Sequence, residues 1–201
     1  LNSAYYGMVT FLDRQIGKVL RALENLGLAD NTRIIYSSDH GEHLGSRGLF
    51  GKFTMYEESA AIPLVMAGPD VPKGSRVNTP VSLVDIYPTV LESFGIPLSG
   101  APFGGADPTG ALPGTSLFDF MAKESPDRAV LSEYHAVGSC RGYYMIRKGR
   151  LKYVYYVGGA LDAPPQLFDL ERDPKEEINL ADDRSYAVDL AAMDRIMRET
   201  L

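Results

Sequence analysis

The stretch Arg33-Ile34-Ile35-Tyr36-Ser37-Ser38-Asp39-His40-Gly41-Glu42-His43 decides how this chain reads. Its first half is short, apolar and rich in β-branched side chains, which suits a central parallel strand buried on both faces. Its second half turns abruptly polar at Asp39-His40-Gly41. Open α/β sheets bind ligands beyond the carboxyl ends of their strands, so these polar residues stand where a site is expected. Upstream, Tyr5, Met8, Val9, Leu12, Ile16, Val19, Leu20 and Leu23 recur every three or four positions, the one-sided pattern of an amphipathic helix. Ser3 is the expected N-cap, and Gly27 the left-handed residue that ends the helix, with Leu28 as its apolar contact. Downstream, Ile62–Ala67 reads as a second strand bounded by Gly68-Pro69, and Ser82–Phe94 as a helix ended by Gly95. Helix, strand, loop, strand and helix in this order predict an α/β sheet with helices on its faces.

The chain then changes character. Four Pro and five Gly fall in Pro97–Gly114, the mark of an irregular connector. A short helix is expected over Ser116–Lys123. Four strand-like segments follow: Arg128–His135, Tyr143–Arg147, Leu151–Val157 and Gln166–Leu170, with Lys148-Gly149-Arg150 as a tight turn. Asp173-Pro174 has the form of an N-cap followed by a first-turn proline. A last helix is expected over Asp183–Glu199, with Val188, Leu190, Ala191, Met193, Ile196 and Met197 as its apolar positions. An antiparallel sheet with the terminal helix on one face is the simplest assembly.

The 201 residues carry 20 Lys plus Arg against 26 Asp plus Glu, a net charge of −6, and 45% are hydrophobic. That is enough apolar matter to form a core, which excludes disorder as the main state. The acidic balance argues against a nucleic-acid partner, since little here would release phosphate counterions. No apolar run approaches the roughly 20 residues of a membrane span. A single cysteine, Cys140, rules out an intrachain disulfide and a multi-cysteine zinc site, and reads as an unreactive thiol. The chain starts at Leu1, from which a processed or partial chain is expected.

Two groups of residues could carry chemistry. Asp39 and His40 offer an oxygen and a nitrogen at adjacent positions, and Gly41 permits the backbone turn that would let both meet one cation. Such a pair suits Mn²⁺, Fe or Zn²⁺ better than a pure Ca²⁺ cage. The same residues could equally form a plain turn with Asp39 capping backbone N–H groups. Lys52 closes the glycine-punctuated loop Gly45-Ser46-Arg47-Gly48-Leu49-Phe50-Gly51-Lys52, where its point charge could meet an oxyanion; a solvated loop lysine is the alternative. His43 reads as loop structure and Asp85 as a helix cap. Neither zincin spacing, nor a phosphate-binding P-loop, nor a G-x-S-x-G elbow occurs.

Ser38-Asp39-His40-Gly41-Glu42-His43-Leu44-Gly45, then Gly48-Leu49-Phe50-Gly51-Lys52-Phe53-Thr54-Met55-Tyr56-Glu57-Glu58-Ser59, then Ile62-Pro63-Leu64-Val65 resemble the sulfatase family of the alkaline-phosphatase-like superfamily. The likeness continues through Leu83-Val84-Asp85-Ile86-Tyr87-Pro88-Thr89-Val90-Leu91. It closes with Leu167-Phe168-Asp169-Leu170-Glu171-Arg172-Asp173-Pro174 and Glu177-Ile178-Asn179-Leu180-Ala181. The resemblance implies part of an α/β/α sandwich over residues 1–115 and a small α+β C-terminal subdomain over 116–201. It implies that Asp39 and His40 are ligands of a divalent metal, Ca²⁺ or Mn²⁺. His40 is similar to choline-sulfatase-like and phosphonate-monoester-hydrolase-like members rather than to those with Asn at this position. Lys52 is implied to be catalytic, binding the sulfate oxygens. Apart from the resemblance, Glu133-Tyr134-His135 ends a strand from which His135 could reach substrate; a solvated strand end is the alternative.

Sulfatases attack with a formylglycine made within C-x-P-x-R or S-x-P-x-R. Neither occurs here: Cys140-Arg141-Gly142-Tyr143 lacks the proline, and Ser125-Pro126-Asp127-Arg128 is one residue short. The chain is therefore expected to be the C-terminal portion of a sulfatase acting on a small sulfate ester. It should be inactive alone, with the formylglycine carried by an N-terminal part of the same protein. A phosphonate or phosphodiester hydrolase sharing the site is the alternative enzyme. A non-enzymatic binding or assembly module, or a homo-oligomer covering an open sheet edge, is the alternative of another class.

Overall fold

The computed structural model describes residues 2–97, 113–135, 141–158 and 163–201, so most of the 97–114 connector and Cys140 lie outside the described residues. The chain divides into two compact units, Leu1–Lys52 with Ala61–Ser75, and Phe53–Ala60 with Arg76–Leu201.

In the first unit, helix α1 spans Asn2–Asn25. Its periodic apolar residues do make a helix, but Ser3 lies inside it rather than capping it. Gly27 takes φ 68°, and the Leu28 N–H reaches back to the Leu23 carbonyl at 2.9 Å, so the C-terminus closes as expected. No residue of α1 is buried; Met8 is 63% and Val19 62% exposed along the expected apolar row. Strand β1, Ile34–Ser37, pairs with β2, Leu64–Ala67, in the register Ile34↔Ala67 to Ser37↔Leu64. The pairing is antiparallel, which corrects the expected central parallel strand. β-Branched content favours a strand but does not set the direction of its neighbour, and among the described residues β1 has this one partner. Gly68 makes the close approach possible. A Cβ there would stand 2.4 Å from the Thr32 carbonyl oxygen.

The second unit contains α2 (Glu57–Ala60), α3 (Ile86–Ser93), α4 (Leu117–Ala122), strands β3 (Ala129–Tyr134), β4 (Gly142–Lys148), β5 (Leu151–Val157) and β6 (Gln166–Asp169), and α5 (Ala187–Thr200). The four strands form the expected antiparallel sheet, a meander in the order β3-β4-β5-β6. Pairings such as Ile146↔Tyr153 and Met145↔Val154 hand each face its own core. One face buries Ile146, Tyr153 and Leu167 against Tyr186, Met193 and Met197 of the terminal helix and its lead-in turn. The other buries Tyr143, Met145 and Val154 against Met55. Val188 is 83% exposed, which corrects its place among the apolar positions. It lies five residues before Met193, roughly 140° round the helix. Asp173-Pro174 starts no helix. Asp173 Oδ2 instead accepts the Ile178 N–H at 2.8 Å, bracing a turn.

Asp169 ends β6 with its side chain fully buried. It accepts from the Arg150 guanidinium, the Tyr186 hydroxyl and the N–H groups of Glu171 and Arg172. Burial pushes its carboxyl up, but the Tyr186 hydroxyl, Arg150 and the two amides pull harder and hold it below the ordinary value. A carboxyl lowered by folding stabilises the folded state above its unfolded pKa of 3.8, and that contribution disappears as pH falls through the lower folded value. Asp169→Asn should therefore melt with a flatter pH dependence below about pH 4. An unchanged acid slope in thermal unfolding would remove Asp169 from this role.

Candidate metal and oxyanion site

The chain leaves β1 through Ser38 into the loop that ends at Lys52. Two side chains draw the first turn. Ser38 Oγ donates to the His40 carbonyl at 2.8 Å, and Asp39 Oδ1 accepts the His40 N–H at 3.0 Å. These bonds turn the backbone without a left-handed residue at Gly41; positive φ first appears at Leu44 and Gly45. Asp39 thus caps the turn with one oxygen and still presents the other. Its Oδ2 stands 3.3 Å from His40 Nε2.

The His40 ring is oriented by its own backbone. Nδ1 meets the Gly41 carbonyl oxygen at 2.8 Å. A carbonyl only accepts, so Nδ1 carries a proton; in the neutral ring this leaves the Nε2 lone pair towards Asp39, the arrangement that metal-binding histidines use. The two side chains face solvent, Asp39 78% and His40 37% exposed. Slight burial pushes the Asp39 carboxyl up. The His40 ring, the amides of Asp39 and His40 and the Lys52 charge outweigh it, and the carboxyl lies below its ordinary value. Lys52 is thus close enough to act electrostatically on Asp39. The first unit brings Asp39, His40 and Lys52 onto one loop.

The donor set fits a divalent cation in part. One carboxylate oxygen and one imidazole nitrogen converge with the right tautomer, a mixed pair compatible with Mn²⁺ and with mixed Ca²⁺ sites. Among the described residues no cluster of three His, Cys, Asp or Glu completes a shell. His135 belongs to the second unit, just beyond β3. It is half-exposed, with Nε2 3.4 Å from Glu133 Oε2 and its ring edge-on to Tyr144. His43 is buried, and its backbone closes the loop by accepting from Ser46 and donating to the Gly51 carbonyl. Asp85 does cap, in a reciprocal box with Ser82.

One residue escaped the sequence reading. Glu42 Oε1 accepts the Gly51 N–H at 2.6 Å and the Leu44 N–H at 3.2 Å. The Gly51 amide first, then that of Leu44, holds the Glu42 carboxyl below its ordinary value. An acid nine positions from a glycine carries no periodic signal, so only the folded loop reveals the pair.

The family model described as Sulfatase matches residues 2–96. Arylsulfatase K of Homo sapiens is 40% identical over 181 residues, covering 90% of this chain and 33% of that protein. Over most of its length the chain is thus similar to the sulfatases. Choline-sulfatase of Rhizobium meliloti (strain 1021) is 38% identical over 191 residues, covering 94% of this chain and 35% of its own length. The crystal structure of a phosphonate monoester hydrolase of Agrobacterium radiobacter superposes with a TM-score of 0.78 at 30% identity, over 97% of this chain and 40% of that one. The fold is thus the α/β fold of this family, and the resemblance read from the Asp39 and Lys52 motifs is borne out. The chain spans about a third of the length of the curated relatives it matches. Among its described residues no helix is long and apolar enough to cross a membrane.

Proposed function

We propose that this chain is the C-terminal portion of a hydrolase that cleaves small sulfate esters. Asp39 and His40 hold a divalent cation, Ca²⁺ or Mn²⁺, and Lys52 receives the ester oxygens. The observation that carries the reading is the shared loop: an oriented acid–imidazole pair and an ammonium whose charge the acid senses. The cation, when bound, supplies Lewis-acid stabilisation where charge accumulates on the ester oxygens. Asp39 contributes a carboxylate that stays ionised, because the amides of Asp39 and His40 and the Lys52 charge favour that form. His40 contributes a fixed lone pair. Lys52 presents a preset positive charge, which costs no reorganisation when the tetrahedral centre becomes more negative. The formylglycine nucleophile belongs to an N-terminal part of the same protein, and the chain alone is inactive. Residues 1–115 then form part of the α/β core and 116–201 the C-terminal subdomain, from which His135 contributes to substrate binding. The exposed apolar row of α1 is a surface that the N-terminal part, or failing that a second copy, would cover.

A second reading has a specific support. The likeness to a phosphonate monoester hydrolase makes phosphonate or phosphodiester cleavage the rival activity. Comparing kcat/KM for an aryl sulfate and an aryl phosphonate monoester in the longer protein separates the two.

The central test has two arms. In the longer protein, Lys52→Ala should lower kcat for an aryl sulfate by about 10²–10³-fold, the effect of losing one oxyanion partner; unchanged kcat sinks the role of Lys52. In the isolated chain, Mn²⁺ should broaden the NMR signals of Asp39 and His40, and Asp39→Ala should abolish the broadening. Aryl-sulfate turnover by the isolated chain, lost on Asp39→Ala, would show that no second part is needed.

A further inference from the structure

The loop between the acid–imidazole pair and Lys52 holds a backbone shape that most residues avoid. Leu44 has φ 52° and Arg47 φ 56°, while Gly45, Gly48 and Gly51 lie at 91°, 70° and 85°. Left-handed side-chain-bearing residues persist only where the surroundings over-determine them, and they gather at functional sites. Part of the restraint is backbone: the His43 N–H donates to the Gly51 carbonyl at 3.0 Å and the Gly45 N–H to the Leu49 carbonyl at 2.8 Å. The rest is one side chain. Glu42 Oε1 gathers the N–H groups of Leu44 and Gly51, one from each end of the left-handed stretch. Gly51 is bonded directly to Lys52.

We infer that Glu42 is a positioning residue for Lys52, setting through the Gly51 amide where the ammonium stands relative to Asp39 and His40. The inference rests on the proposed role of Lys52 and adds the group that fixes its place. A carboxylate is suited to the task. It accepts two N–H bonds on one oxygen, and its charge strengthens both. At 2.6 Å the bond to Gly51 is the shorter, so the constraint falls hardest on the residue next to Lys52. Gly51 has no side chain to pack at this junction, which leaves its position to hydrogen bonds.

The test uses the 201-residue chain, labelled with ¹⁵N and checked for a cooperative melt. Amide exchange is followed at Gly51 and Leu44, and inorganic sulfate is titrated while the Lys52 signals are watched. Glu42→Ala should speed exchange at Gly51 by at least about tenfold and weaken sulfate binding by about tenfold, the scale of one lost charge-assisted bond. Glu42→Gln keeps a carbonyl oxygen for both amides and should restore both readouts most of the way, which a purely electrostatic role would not allow. A folded Glu42→Ala chain with wild-type exchange at Gly51 overturns the inference. So does Glu42→Gln proving as damaging as Glu42→Ala. If sulfate moves no Lys52 signal in the wild-type chain, the anion-binding role of Lys52 fails, while exchange at Gly51 still decides what Glu42 holds.

Discussion

Lys152→Met should cost about 3–5 kcal/mol of unfolding free energy at neutral pH, the usual penalty for removing one partner of a buried ionic cluster. Lys152 sits in β5 with 1% of its side chain exposed. Its Nζ stands 2.5 Å from Glu57 Oε1 and 2.7 Å from Glu176 Oε1, and it donates to the Met55 carbonyl at 2.9 Å. Glu176 is buried as well, and its Oε2 accepts the Glu57 N–H at 2.6 Å. Methionine keeps the volume but leaves two carboxylates facing each other without the ammonium. Burial pushes the Glu176 carboxyl up; Lys152 and the Glu57 amide pull it back, the Glu57 charge pushes again, and the net shift is upward. A carboxyl raised by folding favours the folded state below its unfolded pKa of 4.5 and loses that advantage as pH rises through the folded value. Without the lysine the rise is larger, so the deficit of Lys152→Met should shrink as pH falls towards about 5. Lys152→Met with Glu57→Gln and Glu176→Gln should recover part of the loss at neutral pH. Urea unfolding followed by circular dichroism measures all of this, and a loss under about 1 kcal/mol for Lys152→Met would show that the cluster contributes little.

Asp85→Ala should be comparably damaging, again about 3–5 kcal/mol, because its carboxylate is fully buried and joins three separate segments. Arg128 donates to both of its oxygens at 2.7 Å, the Ser82 N–H to Oδ2 at 2.8 Å and the Thr115 N–H to Oδ1 at 2.9 Å. The Asp85 carbonyl also accepts from Thr89 Oγ1, which in turn accepts the Leu117 N–H that leads into α4. Alanine strands a guanidinium and two amides together. Arg128→Lys tests the geometry apart from the charge. Lysine keeps a cation but cannot offer the two parallel bonds, nor lie over the Phe120 ring as Arg128 does at 4.7 Å. It should cost about 1–3 kcal/mol. If Arg128→Lys matched wild type in chemical unfolding, the forked bond would not be what holds this junction.

Much of the local structure was legible from residue patterns. The four C-terminal strands, the turn at Lys148-Gly149-Arg150, the glycine stop after α1 and the Ser82–Asp85 cap all fall where expected. Each depends on neighbours within a few positions, and such signals survive in the linear chain. Partners did not. Nothing in Ile34-Ile35-Tyr36-Ser37 says that its neighbour runs antiparallel, and nothing around Lys152 says that it stands between two glutamates 95 residues before it and 24 after it.

The candidate site divides in the same way. The linear order of residues was enough to name Asp39, His40 and Lys52, because the chemistry of an acid, an imidazole and an ammonium is a property of the side chains themselves. Tertiary structure alone decided that the Gly41 carbonyl sets the His40 tautomer, that Asp39 both caps and faces outward, and that Glu42 ties off the loop at Gly51. Hydrogen bonds act over about 3 Å. Which atoms come that close across a loop is settled by the path of the backbone, and that path depends on left-handed residues and amide partners that no single stretch of letters contains.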